Sequence, residues 1–81
     1  MEYFLNSKDG AYPCEVTIDE DNGRFMVKKA DSSGEFFNTP KELVQWIMEN
    51  WNRDQFYDKY LFEKMVKEIQ VYLPFANGQM K

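Results

Sequence analysis

Apolar positions spread unusually widely around a helical wheel between residues 39 and 51, where the sequence reads TPKELVQWIMENW. Thr39 can cap a helix, Pro40 suits the first helical position, and Glu42 stands where a capping box needs an acidic side chain. At about 100° per residue, the apolar side chains of this stretch fill an arc of about 200°. A helix that faces one core presents a narrower stripe, so we expect a helix over about 40–51 that is covered on two sides.

Before this helix, apolar and polar residues alternate with the period of two that is typical of half-buried β-strands. Cys14, Val16 and Ile18 are in phase within the longest such segment, and Tyr3 and Leu5 are in phase within a shorter one. Turn residues separate the segments. Within 2–38 the sequence therefore predicts strands at about 2–6 and 12–20, a third after the turn at residues 22–23, and a short fourth at 35–38.

Asn22-Gly23 predicts a tight hairpin, because both residues tolerate the positive φ that a two-residue type I′ turn requires. In that register Ile18 faces Val27. The apolar positions Val16, Ile18, Phe25 and Val27 then share one face of the sheet. We therefore expect an antiparallel meander of three or four strands, with one apolar face that needs cover.

A second helix is predicted over about 53–73. Asn52 and Gln55 have the spacing of a capping pair, and Pro74 would end the helix. Its apolar stripe consists of Leu61, Phe62, Met65, Val66, Ile69 and Leu73. The segment 74–81 is expected to be loose. Whether the two helices are continuous is left open by the sequence.

These elements predict one small α+β domain over residues 1–81, in the order ββββαα, with both helices packed on one face of the sheet. A chain of 81 residues that is 43% hydrophobic can fold alone around a limited core. Its aromatic content of 17% supplies much buried area per residue.

The net charge of −4 argues against direct binding of nucleic acid, which needs a basic surface to neutralise phosphates. The excess acid lies in residues 1–38, which hold eight acidic and four basic residues. A single cysteine gives no sign of an oxidising compartment, and neither a signal peptide nor a membrane-spanning stretch is recognisable. We therefore expect a cytoplasmic protein without a membrane partner.

The chain contains no histidine, which removes the commonest general base and transition-metal ligand. Cys14 is in phase with the predicted apolar face, so a buried, inert thiol is expected. The acidic run 19–23 does not match the ligand spacing of a calcium-binding EF-hand loop. The sequence therefore predicts a protein that is not an enzyme, with no catalytic residues, no cofactor and no metal site.

Two candidate surfaces remain, and both point to another protein as the partner. The first is an aromatic corner around the junction of the helices, formed by Trp46, Trp51, Phe56, Tyr57 and Tyr60. The second is an acidic rim of the sheet, formed by Glu15, Asp19, Glu20 and Asp21, which would attract a basic partner such as a nucleic-acid-handling enzyme.

The expected function is that of a non-catalytic interaction module, a regulator or inhibitor that covers the surface of its partner. Two alternatives remain open. The protein could be a structural homodimer, since exposed rings also favour self-association, or a nucleic-acid-associated protein that uses the aromatic corner for stacking.

Overall fold

A four-stranded antiparallel sheet forms the first half of the computed structural model, which describes residues 1–73. The strands are β1 (Glu2–Leu5), β2 (Cys14–Asp19), β3 (Arg24–Lys28) and β4 (Gly34–Phe37). They are neighbours in the order β1-β2-β3-β4, a simple meander in which β1 and β4 are the edges. The predicted meander is confirmed, with four strands.

Two helices follow the sheet, and the predicted ββββαα order of an α+β fold is confirmed. Helix α1 spans Pro40–Asn50 and helix α2 spans Lys59–Ile69. Single 3-10 turns lie between the helices at Arg53–Gln55 and after α2 at Gln70–Tyr72.

The core lies between the helices and one face of the sheet. Its largest fully buried side chains come from every layer: Leu5, Val16, Val27, Leu43, Val44, Ile47, Phe56, Met65 and Ile69. Helix α1 contacts β3 and β4, and it also contacts the turn at Gln70–Tyr72. The buried part of the apolar arc of α1 is therefore covered from two directions, as predicted, whereas Met48 in the same arc is 46% exposed.

Local capping fixes where each helix begins. The Thr39 hydroxyl accepts a hydrogen bond from the Glu42 backbone N–H at 3.2 Å, and the Glu42 carboxylate accepts one from the Asn38 N–H at 3.0 Å. The Asp58 carboxylate accepts from the Leu61 N–H at 3.0 Å at the start of α2. These bonds satisfy backbone donors that have no partner inside the helix.

The register of the β2–β3 hairpin differs from the predicted one by two residues. Ile18 pairs with Phe25 rather than with Val27, and Asp19 pairs with Arg24, so the loop contains the four residues 20–23. Because side chains alternate with a period of two, a shift of two residues leaves every side chain on its predicted face. Val16, Ile18, Phe25 and Val27 are accordingly all buried.

The second helix begins at Lys59 rather than at residue 53. Asn52 does form the predicted capping box with Gln55, but the box opens only the short 3-10 turn. Extended residues then follow, and Phe56 forms an isolated β-bridge with Ser7. The two helices are therefore separate. The predicted segment 74–81 lies outside the described residues.

Candidate interaction surfaces

Three rings of the aromatic corner pack against one another, Phe56 fully buried and the two tryptophans partly buried. Trp46 and Trp51 meet edge to face with ring centroids 5.5 Å apart, and Trp51 meets Phe56 in the same way at 5.3 Å. The row continues to Phe37, whose centroid lies 6.3 Å from that of Trp46, and to Phe62, stacked 5.2 Å from Phe56. Such pairs add to the stability that burial alone provides. Phe37 and Phe62 are members of this cluster that were not predicted from the sequence.

Phe56 is only 1% exposed, so the prediction that it contacts a partner is wrong. The physical reason is the backbone around it. The Lys8 N–H donates to the Gln55 carbonyl at 2.8 Å, and the Tyr57 N–H donates to the Asn6 carbonyl at 3.0 Å. In an extended segment successive side chains point to opposite sides, so Phe56 enters the core and Tyr57 faces outward.

Tyr57 and Tyr60 are the two members of the aromatic corner that stay exposed, by 70% and 85%. Tyr57 lies just before the cap of α2 and Tyr60 in its first turn. We call this pair the tyrosine surface. Trp46 and Trp51 are partly buried, and the packing of their rings against Phe37 and Phe56 accounts for their role in the core.

The acidic rim is divided between two places. Glu15 lies within β2, where its carboxylate is 4.0 Å from the Lys28 ammonium. Asp19 is the last residue of β2, and Glu20 and Asp21 follow it in the β2–β3 loop at the end of the hairpin. Only this second group forms a concentrated acidic surface, which we call the acidic tip.

Within the acidic tip, Asp19 has a structural role. Its carboxylate accepts hydrogen bonds from the Asn22 side chain at 2.9 Å and from the Asn22 backbone N–H at 3.3 Å, and these bonds lower the pKa of the Asp19 carboxyl. Glu20 accepts a hydrogen bond at 3.0 Å from the hydroxyl of Tyr72. Asp21 is exposed, so it is the member best suited to meet a partner.

A third surface, the face of the sheet that the helices leave uncovered, was not among the sequence candidates. It carries Phe4 on β1 and Phe36 on β4, which are 57% and 78% exposed. Alternation already placed Phe4 on the face opposite Tyr3 and Leu5. The adjacent pair Phe36 and Phe37 carries a similar signal, because two neighbouring residues of a strand cannot both face the core. We call this surface the open face.

Cys14 is buried, as its phase in the sequence predicts, with 2% of its surface exposed. Burial, and secondarily the negative charge of Asp31, raise the pKa of the thiol, which disfavours the reactive thiolate. Cys14 lies beside a cleft of about 610 Å³. Two charged residues at the cleft have partners of their own, since Lys29 pairs with Glu35 at 3.0 Å and Asp31 accepts from Ser33.

The part of the chain described here, residues 1–73, contains no cluster of three or more histidine, cysteine, aspartate or glutamate side chains placed to hold a metal ion. In the same residues, no helix has both the length and the apolar character needed to cross a membrane.

Comparison of the chain with protein families, with curated proteins and with solved structures gives no match.

Proposed function

We propose that this protein is a non-catalytic interaction module, a regulator or inhibitor that acts by covering the surface of a partner protein. One observation carries the proposal: five aromatic side chains remain more than half exposed in a domain that packs its other described rings into or against the core. They are Phe4, Tyr12, Phe36, Tyr57 and Tyr60. Exposed rings that a fold does not use for its own packing are typical of binding surfaces.

The tyrosine surface is the proposed contact with the partner. Tyrosine combines a large apolar ring with a hydroxyl group and has only two rotatable side-chain bonds, so it binds with little loss of conformational entropy. Charged residues close to this pair in the sequence are joined in exposed ion pairs, Arg53 with Glu63 at 2.7 Å and Lys59 with Asp54 at 3.4 Å. An aromatic centre within a polar border is the usual anatomy of a protein interface.

The acidic tip indicates that the proposed partner is a basic protein. The excess negative charge of the chain belongs to residues 1–38, and three carboxylates lie at the end of the β2–β3 hairpin. Such a surface accelerates encounter with a basic protein, for example a nucleic-acid-handling enzyme. The interaction would then weaken as salt is added.

A capture experiment tests this function. The tagged protein is incubated with cell lysate, and retained proteins are identified by mass spectrometry for the wild type and for the double variant Tyr57→Ser, Tyr60→Ser. We expect one basic protein to be retained by the wild type and at least tenfold less by the double variant, because interface tyrosines often contribute 2 kcal/mol or more, roughly, each.

Tyr12→Ser is the matched control, because Tyr12 is also an exposed tyrosine, by 55%, but lies in the β1–β2 loop. Asp21→Lys tests the acidic tip without disturbing the Asp19 bonds that hold the loop. Equal retention by wild type and double variant would contradict the tyrosine surface. If neither added salt nor Asp21→Lys lowers the amount of partner retained, the partner is not bound through its basic charge.

A further inference from the structure

The strand register defines which residues share the open face. Paired residues lie on the same face of a sheet, and the opposite face is buried at Val16, Ile18, Phe25 and Val27. One row across the open face, from β1 to β4, consists of Phe4, Glu15, Lys28 and Gly34. The next row consists of Glu2, Thr17, Met26 and Phe36, and Asp19 with Arg24 continues the same face on the two central strands.

The charges on this face are separated by strand. The acidic residues Glu15 and Asp19 lie on β2, and the basic residues Lys28 and Arg24 lie directly beside them on β3. Glu2, on β1, adds to the acidic half. A line between the two central strands therefore divides the open face into an acidic half and a basic half.

The apolar residues are complementary across the same line. Phe4 lies at one edge and Gly34 at the other edge of the same row. A Cβ atom at Gly34 would lie 3.6 Å from the Phe36 ring, so that ring leans over a position with no side chain. Gly34 and Phe36 thus form a shallow apolar surface on β4, at the edge of the sheet opposite Phe4.

We propose that the open face is a self-association surface, on which two copies of this chain stack face to face about a two-fold axis parallel to the strands. Rotation about that axis exchanges β1 with β4 and β2 with β3 while each row keeps its place. Glu15 then faces Lys28 of the second copy, Asp19 faces Arg24, and Phe4 faces Gly34 with the Phe36 ring beside it. In the next row Phe36 faces Glu2. Every contact occurs twice, as in an isologous dimer.

A second copy fits this face because the acidic half of each copy would lie against the basic half of the other. A different protein would need the same division of charge with the same exposed ring, whereas a second copy supplies both by symmetry. Aligned stacking of two sheets, about 10 Å apart, is also a common way to cover an apolar sheet face. This surface is separate from the tyrosine surface, so a dimer would leave the proposed partner contact accessible.

The size of the face predicts a weak, reversible dimer. Four strands spaced by about 4.8 Å, with about five residues each, span roughly 19 Å by 17 Å. Such a face lies at or below the lower end of specific interfaces, so we expect a dissociation constant on the order of 100 μM. Self-association should therefore become visible only in concentrated solution.

Sedimentation equilibrium of the full chain tests the proposal. From about 10 μM to about 1 mM, the average mass of the wild type should rise from 9.7 kDa towards twice that value. Glu15→Lys or Lys28→Glu should each weaken association about tenfold or more, because like charges would then face each other twice. Lys64→Glu, the same charge change as Lys28→Glu but at an exposed position on α2, is the control for that variant and should have little effect.

Mixing the two single variants gives the most specific result. In a mixed dimer of Glu15→Lys with Lys28→Glu, opposite charges would again meet at both contacts between positions 15 and 28. An equimolar mixture should therefore associate about as well as the wild type. The ion pair between positions 15 and 28 within one chain cannot explain restored association, because both single variants lack that ion pair. Circular dichroism verifies that each variant is folded.

Phe36→Ser is a second test that leaves the charges unchanged, and it should also weaken association. The proposal is overturned if the wild type remains at 9.7 kDa at about 1 mM, if both charge variants associate like the wild type, or if the mixture associates no better than its components. None of these results depends on whether the lysate experiment retains a partner.

Discussion

At the scale of single residues, the hydrogen bond between Tyr3 and Glu68 joins the edge of the sheet to α2. The Tyr3 hydroxyl donates to the Glu68 carboxylate at 2.6 Å, across 65 positions of sequence. Burial, together with the bond to Glu68 and the charge of that carboxylate, raises the pKa of Tyr3 to about 12. The folded protein therefore favours the protonated phenol more strongly than the unfolded chain does.

This shift predicts a loss of stability in alkali. Because the folded pKa of Tyr3 is above its ordinary value of 10.0, its contribution is fully present below pH 10 and disappears as the pH rises from about 10 to about 12. Urea unfolding at a series of pH values measures the effect. Tyr3→Phe should cost about 1 kcal/mol at pH 7 and should show a smaller alkaline decrease than the wild type. Parallel pH profiles for the two proteins would disprove this account.

At the scale of elements, the β2–β3 hairpin shows how a correct local signal can give an incorrect register. Asn22-Gly23 is a strong turn signal, but only Gly23 adopts a positive φ, of +64°. Asn22 instead donates its backbone N–H and its side-chain amide to Asp19, and the loop widens to four residues. The signal identified where the chain reverses, whereas the side chain of Asp19 decided the form of the reversal.

Gly23→Ala should therefore destabilise the protein by about 1 kcal/mol, because an L side chain is disfavoured at that φ. There is room for the new methyl group, since no atom lies within 4 Å of it, so the effect would come from the backbone alone. Gly34→Ala is the matched control: its new Cβ would meet only ordinary contacts, the nearest at 3.6 Å, and we expect a change within about 0.5 kcal/mol. Thermal unfolding compares the two, and equal losses would refute the conformational explanation.

At the scale of the whole molecule, the segment between the helices closes the core. The bridge between Phe56 and Ser7 connects this segment to the chain just after β1, and the Phe56 ring contacts those of Trp51 and Phe62. One residue thereby joins the chain after β1, through its backbone, to the helix junction and α2, through its ring. In a domain of this size such a side chain accounts for a large part of the total stability.

Phe56→Ala should cost about 3–5 kcal/mol, the usual range for removal of a buried phenylalanine ring. Tyr57→Ala, at the adjacent exposed position, should change stability by no more than about 0.5 kcal/mol. Denaturant unfolding of both variants measures the contrast. If the two substitutions lowered the free energy of unfolding equally, the assignment of Phe56 to the core and Tyr57 to the solvent would be wrong.

The sequence by itself determined the order of the elements, the inward face of the two central strands and the cap of the first helix. These depend on periodicity and on contacts within a few residues, which are readable along the chain. It also predicted the burial of Cys14. Cys14 is in phase with Val16 and Ile18 along one strand, and this phase does not depend on how the strand pairs with its neighbours.

Only the tertiary structure decided which aromatic rings are exposed. Phe56 and Tyr57 are adjacent and chemically alike, and a β-bridge to residues about 50 positions away sends one inward and the other outward. The open face, likewise, exists because both helices pack on the same side of the sheet. Its division into acidic and basic halves follows from how two strands are aligned, a relation between distant residues that no local pattern records.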